Sequence, residues 1–303
     1  MSYPVSGPLT LEVNLADSDL VRAFKTGEVK SDLVSINFSG PKVANQGFKP
    51  MVREGKFDGG ELAIVTFLQA LEYGKPLVLM PATMVGRFQH YLLVYNADKR
   101  PPMGPKDLEG KRVGIRAWTQ TTAMWLRAHL QHDYGVDLSK ITWVCWDDAH
   151  PAEYQDPDFV VRVPAGSKSV DQMLLDGDLD AAIPGYDVIK EPQIKAIVPD
   201  VAGAGRAFWD KYHAVTVNHI FTIKKDLSHQ RPDAVRELYR MLSASKAAAP
   251  APKDGIDPLP FGMAALRKPL ELAIQYALEQ KLITRKFTVD ELFDDATRVL
   301  EKL

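Results

Sequence analysis

Residues 111–136, KRVGIRAWTQTTAMWLRAHLQHDYGV, constrain the fold of this chain more than any other stretch. RVGI is a short apolar run with β-branched residues, whereas AMWLRAHL carries apolar groups at the three-and-four spacing of an amphipathic helix. The segment therefore reads as strand, turn, helix. The turn, Trp118-Thr119-Gln120-Thr121-Thr122, sets three hydroxyls and an amide where the first helical N–H groups have no intrahelical partner. Such a turn can hold an anion: free donors and the positive end of the helix favour a carboxylate or phosphate, and Arg116 adds a full charge upstream. The plainer alternative is a single threonine capping the helix.

The same alternation of strand and helix recurs along the chain. Residues 9–16 alternate as a half-buried strand, residues 18–24 read as a short helix and residues 33–38 as a second strand. Residues 47–74 begin helical, break at Phe57-Asp58-Gly59-Gly60 and resume as a helix from Glu61 to about Tyr73. The two glycines would let backbone approach a ligand and leave that helix start open, a second potential anion-binding end. Residues 76–80 are an apolar run of the buried parallel type and residues 91–95 a further strand, after which the Pro- and Gly-rich residues 100–110 read as a crossover between lobes. A strand at residues 141–146, a helix and short strand within residues 170–185, and a last strand at residues 216–223 follow. Helices are expected at residues 232–246, 269–281 and 289–303.

This order calls for an α/β fold of two lobes with mixed, mostly parallel sheets and a helical C-terminus. Lobe 1 is expected to be discontinuous, residues 1–95 with 218–303, and lobe 2, residues 96–217, to be inserted in it. Two crossover strands would serve as a hinge, and the ligand cleft would lie between the lobes.

Thirty-seven basic against 39 acidic residues leave a formal charge of −2, so no broad field recruits nucleic acid or an anionic membrane, and any anion site must be local. The single cysteine, Cys145, excludes an internal disulfide and a cysteine-cluster metal site. No signal-peptide pattern opens the sequence and no apolar run approaches the roughly 18 residues of a membrane span. The expected location is cytoplasmic, or periplasmic if a signal preceded this sequence. Nucleotide-phosphate, zinc-protease and nucleophile-elbow motifs are absent. Gly203-Ala204-Gly205 follows no convincing strand and is not a dinucleotide fingerprint. His129, His132 and Asp133 lack a third ligand nearby, which favours a solvated helix face over metal. Trp125, Leu126 and Leu130 stand at core spacing.

Arg87 and His90 precede the apolar strand expected at the lobe crossing, where strand ends face the cleft. They are either cleft residues or a surface arginine and a hydrogen-bonded core histidine. His219, inside a strand, is likewise either a satisfied core group or a titratable cleft group. Glu61, the acid beside the glycine break, is a cleft group or the cap of its own helix.

Several segments together resemble the 4,5-dihydroxyphthalate decarboxylase-like family, whose fold is that of type II periplasmic solute-binding proteins. They are FDGGELAIVTFLQA (57–70), RFQHYLLVYN (87–96), DLEGKRVGI (107–115) with TQTTAMWLRAHLQHDYGV, DQMLLDGDLDAAI (171–183), NHIFTIKKDL (218–227) and PFGMAALRKPLELAIQYALEQKLI (260–283). They run in order over about three quarters of the chain. The Phe-Asp-x-x-Glu turn, the Arg-x-x-His, the histidine in the returning strand and the Phe-Gly helix are the more discriminating. Where Pro-Glu-Tyr-Gln is expected before the anion-binding helix, this chain has Arg116-Ala117-Trp118-Thr119-Gln120.

The resemblance implies a small aromatic or related carboxylate as partner and loss of CO2 without an organic cofactor, and the residues single out no metal site. It assigns carboxylate binding to Arg116, Trp118 and the turn of Thr119, Gln120, Thr121 and Thr122, with help from Arg87 and Glu61. His90 or His219 would protonate the ring carbon. The alternative is a non-catalytic solute-binding protein that hands a small carboxylate to a transporter or sensor, since fold alone does not decide. A homo-oligomer is compatible with either. A menaquinone-pathway lyase of the same fold matches the motifs less, and the cysteine-rich motif of pyrimidine-synthesising relatives is missing.

Overall fold

The apolar runs in the first third of the chain find partners in the last third. The computed structural model describes residues 3–185, 189–252 and 254–300. Its first half carries β1 (Leu9–Asn14), α1 (Arg22–Lys25), β2 (Val34–Asn37), α2 (Phe48–Glu54), β3 (Gly59–Ala63), α3 (Ile64–Glu72), β4 (Leu77–Gly86), β5 (Val94–Asn96), β6 (Arg112–Ile115), α4 (Thr121–His132) and β7 (Thr142–Cys145). The second half carries β8 (Val161–Arg162), α5 (Val170–Asp176), β9 (Ala181–Ile183), β10 (Ile194–Ala196), α6 (Val201–Tyr212), β11 (Val217–Lys224), α7 (Lys225–Gln230), α8 (Pro232–Ala247) and α9 (Met263–Glu279).

The strands form two sheets, one in the order β2-β1-β3-β11-β4 and one in the order β10-β5-β9-β6-β7-β8. Pairings of β1 with β2 and β3, and of β6 with β7 and β9, are parallel, as is β7 with β8. β11 runs antiparallel between β3 and β4, and β5 antiparallel to β9 and β10. The chain leaves the first sheet after β4 and returns to it as β11, so the two crossings lie at residues 87–93 and 197–216. The mixed, mostly parallel α/β architecture is the expected one.

Several local expectations change. Gly59 and Gly60 do not precede a helix: residues 59–63 are β3, buried along its whole length. A strand covered on both faces shows no alternation, which is why it reads as the start of the following helix. The glycines serve packing, since a Cβ on Gly60 would lie 2.1 Å from the Asn14 carbonyl oxygen of β1. α3 therefore starts at Ile64. The expected strand at residues 91–95 is a 3-10 turn over His90–Leu92 followed by β5. Because β5 already belongs to the second sheet, residues 100–110 connect elements within that half and are not a crossover.

Helix α6 has no counterpart in the sequence reading, and it absorbs Gly203-Ala204-Gly205. Asp200 caps it by accepting from Gly203 N at 2.8 Å, and Gly205 leaves room for the Phe88 ring. α9 runs through Pro269 from Met263, earlier than expected. The expected helix at residues 289–303 reduces to a 3-10 turn at Val289–Leu292 followed by turns, and residues 301–303 lie outside the described residues.

α4 holds the halves together. Residues 121–130 of it are all buried, and Trp125 Nε1 donates to the Val217 carbonyl of β11 at 2.8 Å. Trp125, Leu126 and Leu130 are core residues, as their spacing predicts. Among the described residues no helix is long and apolar enough to cross a membrane.

Candidate functional site

Two helix N-termini converge on one cavity between the sheets. The cavity encloses about 270 Å³, small for an organic ligand site and suited to a single substituted ring. Thr119, Gln120, Thr121 and Thr122 line it from the start of α4, and Ala63 and Thr66 from the start of α3. The second helix end expected in this region therefore exists three residues beyond Glu61. The N-cap residue of each helix, Gln120 and Ala63, makes no side-chain cap. Thr121 instead crosses over: its Oγ1 accepts from Val65 N of α3 at 3.3 Å and so satisfies a first-turn donor of the neighbouring helix. Thr122 Oγ1 accepts from Asn218 Nδ2 at 3.0 Å. Gln120 Oε1 is buried without a hydrogen-bond partner, an acceptor left for a ligand.

Both arginines stand at this cavity. Arg116, at the end of β6, pairs with the half-exposed Asp147 at 3.0 Å, and Arg87 follows β4 with its guanidinium carbon 5.8 Å from the Tyr91 ring centre. They bring two guanidinium groups to the wall where the two helix ends meet.

Two imidazoles complete the lining. His219, in β11, presents Nδ1 to Glu61 Oε2 at 3.3 Å, and the other Glu61 oxygen accepts from Ala16 N at 2.8 Å. Glu61 is thus neither a helix cap nor a cavity residue; it sits behind His219 and fixes the ring, leaving Nε2 for chemistry. His150 was not singled out in the sequence. It sits in the polar loop after β7, with Nδ1 2.7 Å from Thr66 Oγ1. Burial, with Arg116 and other nearby cations adding to it, pushes His150 down to about 3, so it is neutral at pH 7. Phe48 stands edge-on to both rings, 5.4 Å from His150 and 5.1 Å from His219. The signal that could have found His150 is its place just beyond the carboxyl end of a parallel strand, where α/β ligands gather.

The loop carrying His150 is strapped onto the first half of the chain. Arg53 of α2 donates through Nε to His150 O at 2.7 Å and through Nη2 to Ala149 O at 3.1 Å, and Lys75 pairs with Glu153 at 2.5 Å.

Two further sequence candidates, besides Glu61, are placed elsewhere. His90 is 1% exposed and does not line the cavity; its ring stacks on His129 at 4.1 Å. Burial first, then His129, pushes it down to about 3. His129 is accordingly a core residue rather than part of a solvated face, covered by His90 and by Phe208 of α6 at 4.9 Å, with Nδ1 donating to Asp133 Oδ2 at 3.0 Å. Trp118 turns away from the cavity as well: its indole is buried, and it lines a separate cavity of about 260 Å³ with Trp143 and Phe159. Its ring carries the Arg127 guanidinium, and it does not line the first cavity. Among the described residues no three His, Cys, Asp or Glu side chains are grouped to hold a metal ion.

No family model matches the chain. In sequence it is similar to the 4,5-dihydroxyphthalate decarboxylase of Comamonas testosteroni, 26% identical over 258 residues that span 80% of this chain and 76% of that one. The 4,5-dihydroxyphthalate decarboxylase of Pseudomonas putida is 24% identical over 231 residues, spanning 72% and 87%. In structure it is similar to the alkanesulfonate-binding protein SsuA from Xanthomonas axonopodis pv. citri bound to MOPS, with a TM-score of 0.63 at 13% identity over 95% of this chain and 99% of that one. The periplasmic aliphatic sulphonate binding protein SsuA from Escherichia coli (TM-score 0.61, 13% identity, 96% and 99% covered) and the desulfurization enzyme DSZB (0.55, 15%, 94% and 96%) share the fold. The chain thus has the architecture of a periplasmic binding protein and the sequence likeness of a decarboxylase.

Proposed function

We propose that this protein is a decarboxylase of a small aromatic carboxylate of the 4,5-dihydroxyphthalate type, working without an organic cofactor. The observation that carries the reading is the meeting of two arginines and two helix N-termini with a carboxylate-backed imidazole in one small cavity. The sequence likeness to two decarboxylases supports it.

The chemistry follows from the groups present. The guanidinium groups of Arg87 and Arg116 serve to hold and neutralise carboxylates and do not transfer protons. The N–H groups at the start of α4 bind the carboxylate that remains in the product. His219, as imidazolium steadied by Glu61, delivers a proton to the ring carbon bearing the departing carboxylate. The positive charge then placed on the ring is carried by the hydroxyl para to that carbon. His150, neutral through burial, accepts a hydrogen bond from this hydroxyl as its acidity rises. The carbon–carboxylate bond breaks with its electron pair returning to the ring, which regains aromaticity, and CO2 leaves. One proton enters and one CO2 departs, giving 3,4-dihydroxybenzoate from 4,5-dihydroxyphthalate.

Release of CO2 from 4,5-dihydroxyphthalate tests the proposal. Removing a general acid costs about 10²- to 10⁴-fold in rate, so His219→Gln should lose turnover by that factor while binding the diacid nearly as well as the parent. The solute-binding fold keeps the second reading, capture of a carboxylate for transport or sensing. A parent protein that binds the diacid tightly and releases no CO2 would replace the first reading with the second.

A further inference from the structure

Arg127, in the middle of α4, takes no part in the reaction just proposed, yet it is wholly buried. A buried guanidinium is costly unless its donors are met and its charge is answered. Its Nε donates to Gln280 Oε1 at 2.7 Å, its Nη2 donates to Trp118 O at 2.8 Å, and its carbon lies 3.7 Å from the Trp118 ring centre. Nη1 has no hydrogen-bond partner, and among the described residues no carboxylate oxygen comes within 4.0 Å of the group. Asp156, an acid whose field reaches it, is paired with Arg162 at 2.7 Å. Gln280 is fixed in turn: its Nε2 donates to Met124 O at 2.9 Å and its carbonyl accepts from Trp118 Nε1 at 3.3 Å. The guanidinium is therefore clamped to the carbonyl that opens the anion-binding turn, and its charge is left over.

The peptide group transmits that clamp. In a trans peptide the carbonyl oxygen of one residue and the N–H of the next point to opposite sides. With Trp118 O drawn toward Arg127, the Thr119 N–H is turned the other way, and Thr119 lines the cavity. We propose that Arg127 is a positioning residue of the anion site: from behind the turn it aims the Thr119 N–H into the cavity and supplies a buried positive charge that the bound anion answers. The proposal rests on the reading of this cavity as an anion site, and refines it by naming what orients its donors.

Amide NMR on the full-length protein tests it, with inorganic sulfate and 4,5-dihydroxyphthalate as probes. In the parent the Thr119 amide should move on titration with either anion. Arg127→Gln should abolish that movement and weaken both anions at least tenfold, whereas Arg127→Lys, which keeps a charge without the planar fork, should recover part of the affinity and not the Thr119 response. A purely structural role would lower the melting temperature of Arg127→Gln and leave the Thr119 response and the affinities unchanged, which would overturn the proposal. Should that variant fail to fold, Gln280→Leu decides, because it strips Nε of its acceptor and leaves the guanidinium in place: a reduced Thr119 response supports the proposal and an unchanged one refutes it. A parent that answers to sulfate and not to the diacid sinks the decarboxylase reading and leaves Arg127 to be judged with sulfate. No Thr119 response to either anion refutes Arg127 as well.

Discussion

Exchanging His90 for glutamine should flatten the acid limb of the stability curve. His90 and His150 are both held near 3 by burial, and burial lowers His129 too. In the unfolded chain each titrates near 6.5, so below that value the unfolded state binds more protons than the native one. Stability is therefore complete above about pH 6.5 and falls as the pH drops toward 3. Between about pH 8 and about pH 5.5, one imidazole of this kind removes about 1.4 kcal/mol, the value of RT times the logarithm of the roughly elevenfold change in the unfolded-state proton factor. His90 and His150 together then remove about 2.8 kcal/mol, and His129 adds in the same direction. Urea unfolding across this range measures the loss, and His90→Gln should lower it by about 1.4 kcal/mol. Glutamine carries its own cost in a buried site, but that cost shifts the whole curve and leaves its slope alone. Asp133 and Lys211, which face the stack, are present in both proteins and cancel. Parallel curves for parent and variant would show that His90 takes up a proton in the native state, and the burial argument would fail.

Three further outcomes follow from the site and the core. Thr121→Ala should destabilise by about 1–3 kcal/mol, more than a lost helix cap, because it strands the buried Val65 N–H of the neighbouring helix; a loss near zero in thermal unfolding would mean that N–H finds another partner. Thr122→Ala frees Asn218, whose amide keeps only its 3.3 Å contact to Gln89, and should weaken diacid binding severalfold by calorimetry; unchanged affinity would remove Asn218 from the site. Burial pushes the Cys145 thiol up to about 12, so mass spectrometry should find it unmodified by iodoacetamide at neutral pH until denaturant is added; rapid native-state alkylation would contradict its burial.

The part of the site legible in the sequence was the part written in local pattern. The start of α4 at Thr121 follows from the change of period between RVGI and AMWLRAHL, and the helix end gathers its own hydroxyls. Arg87, Arg116 and His219 could be placed at the cavity because they stand at strand ends or within the returning strand. What failed depends on which surface each segment meets. Residues 59–63 are buried on every side and therefore show no strand alternation. His129 reads as part of a solvated face, and His90 as a cleft group or a core histidine, until α6, itself unread because its Gly-Ala-Gly core lacks apolar bulk, closes over the pair. Trp118 belongs to Arg127 rather than to the ligand, a pairing nine residues apart that helix spacing alone does not reveal. His150 lies in a loop without periodicity, and only the three-dimensional path of the strap brings it to Thr66.

The strap holds His150 in the setting that pushes its pKa down. Were the loop to leave Arg53 and Thr66, water would reach the imidazole and its ordinary range near 6.5 would return. Somewhat below neutrality the undocked ring is a cation that draws in an anionic guest, and the docked ring is neutral. Binding that required such undocking would be coupled to release of a proton on redocking. Calorimetry in buffers of different ionisation enthalpy tests this: buffer-dependent heats, with an apparent carboxylate affinity that falls below about pH 6.5, would show the undocking, and buffer-independent heats would rule it out.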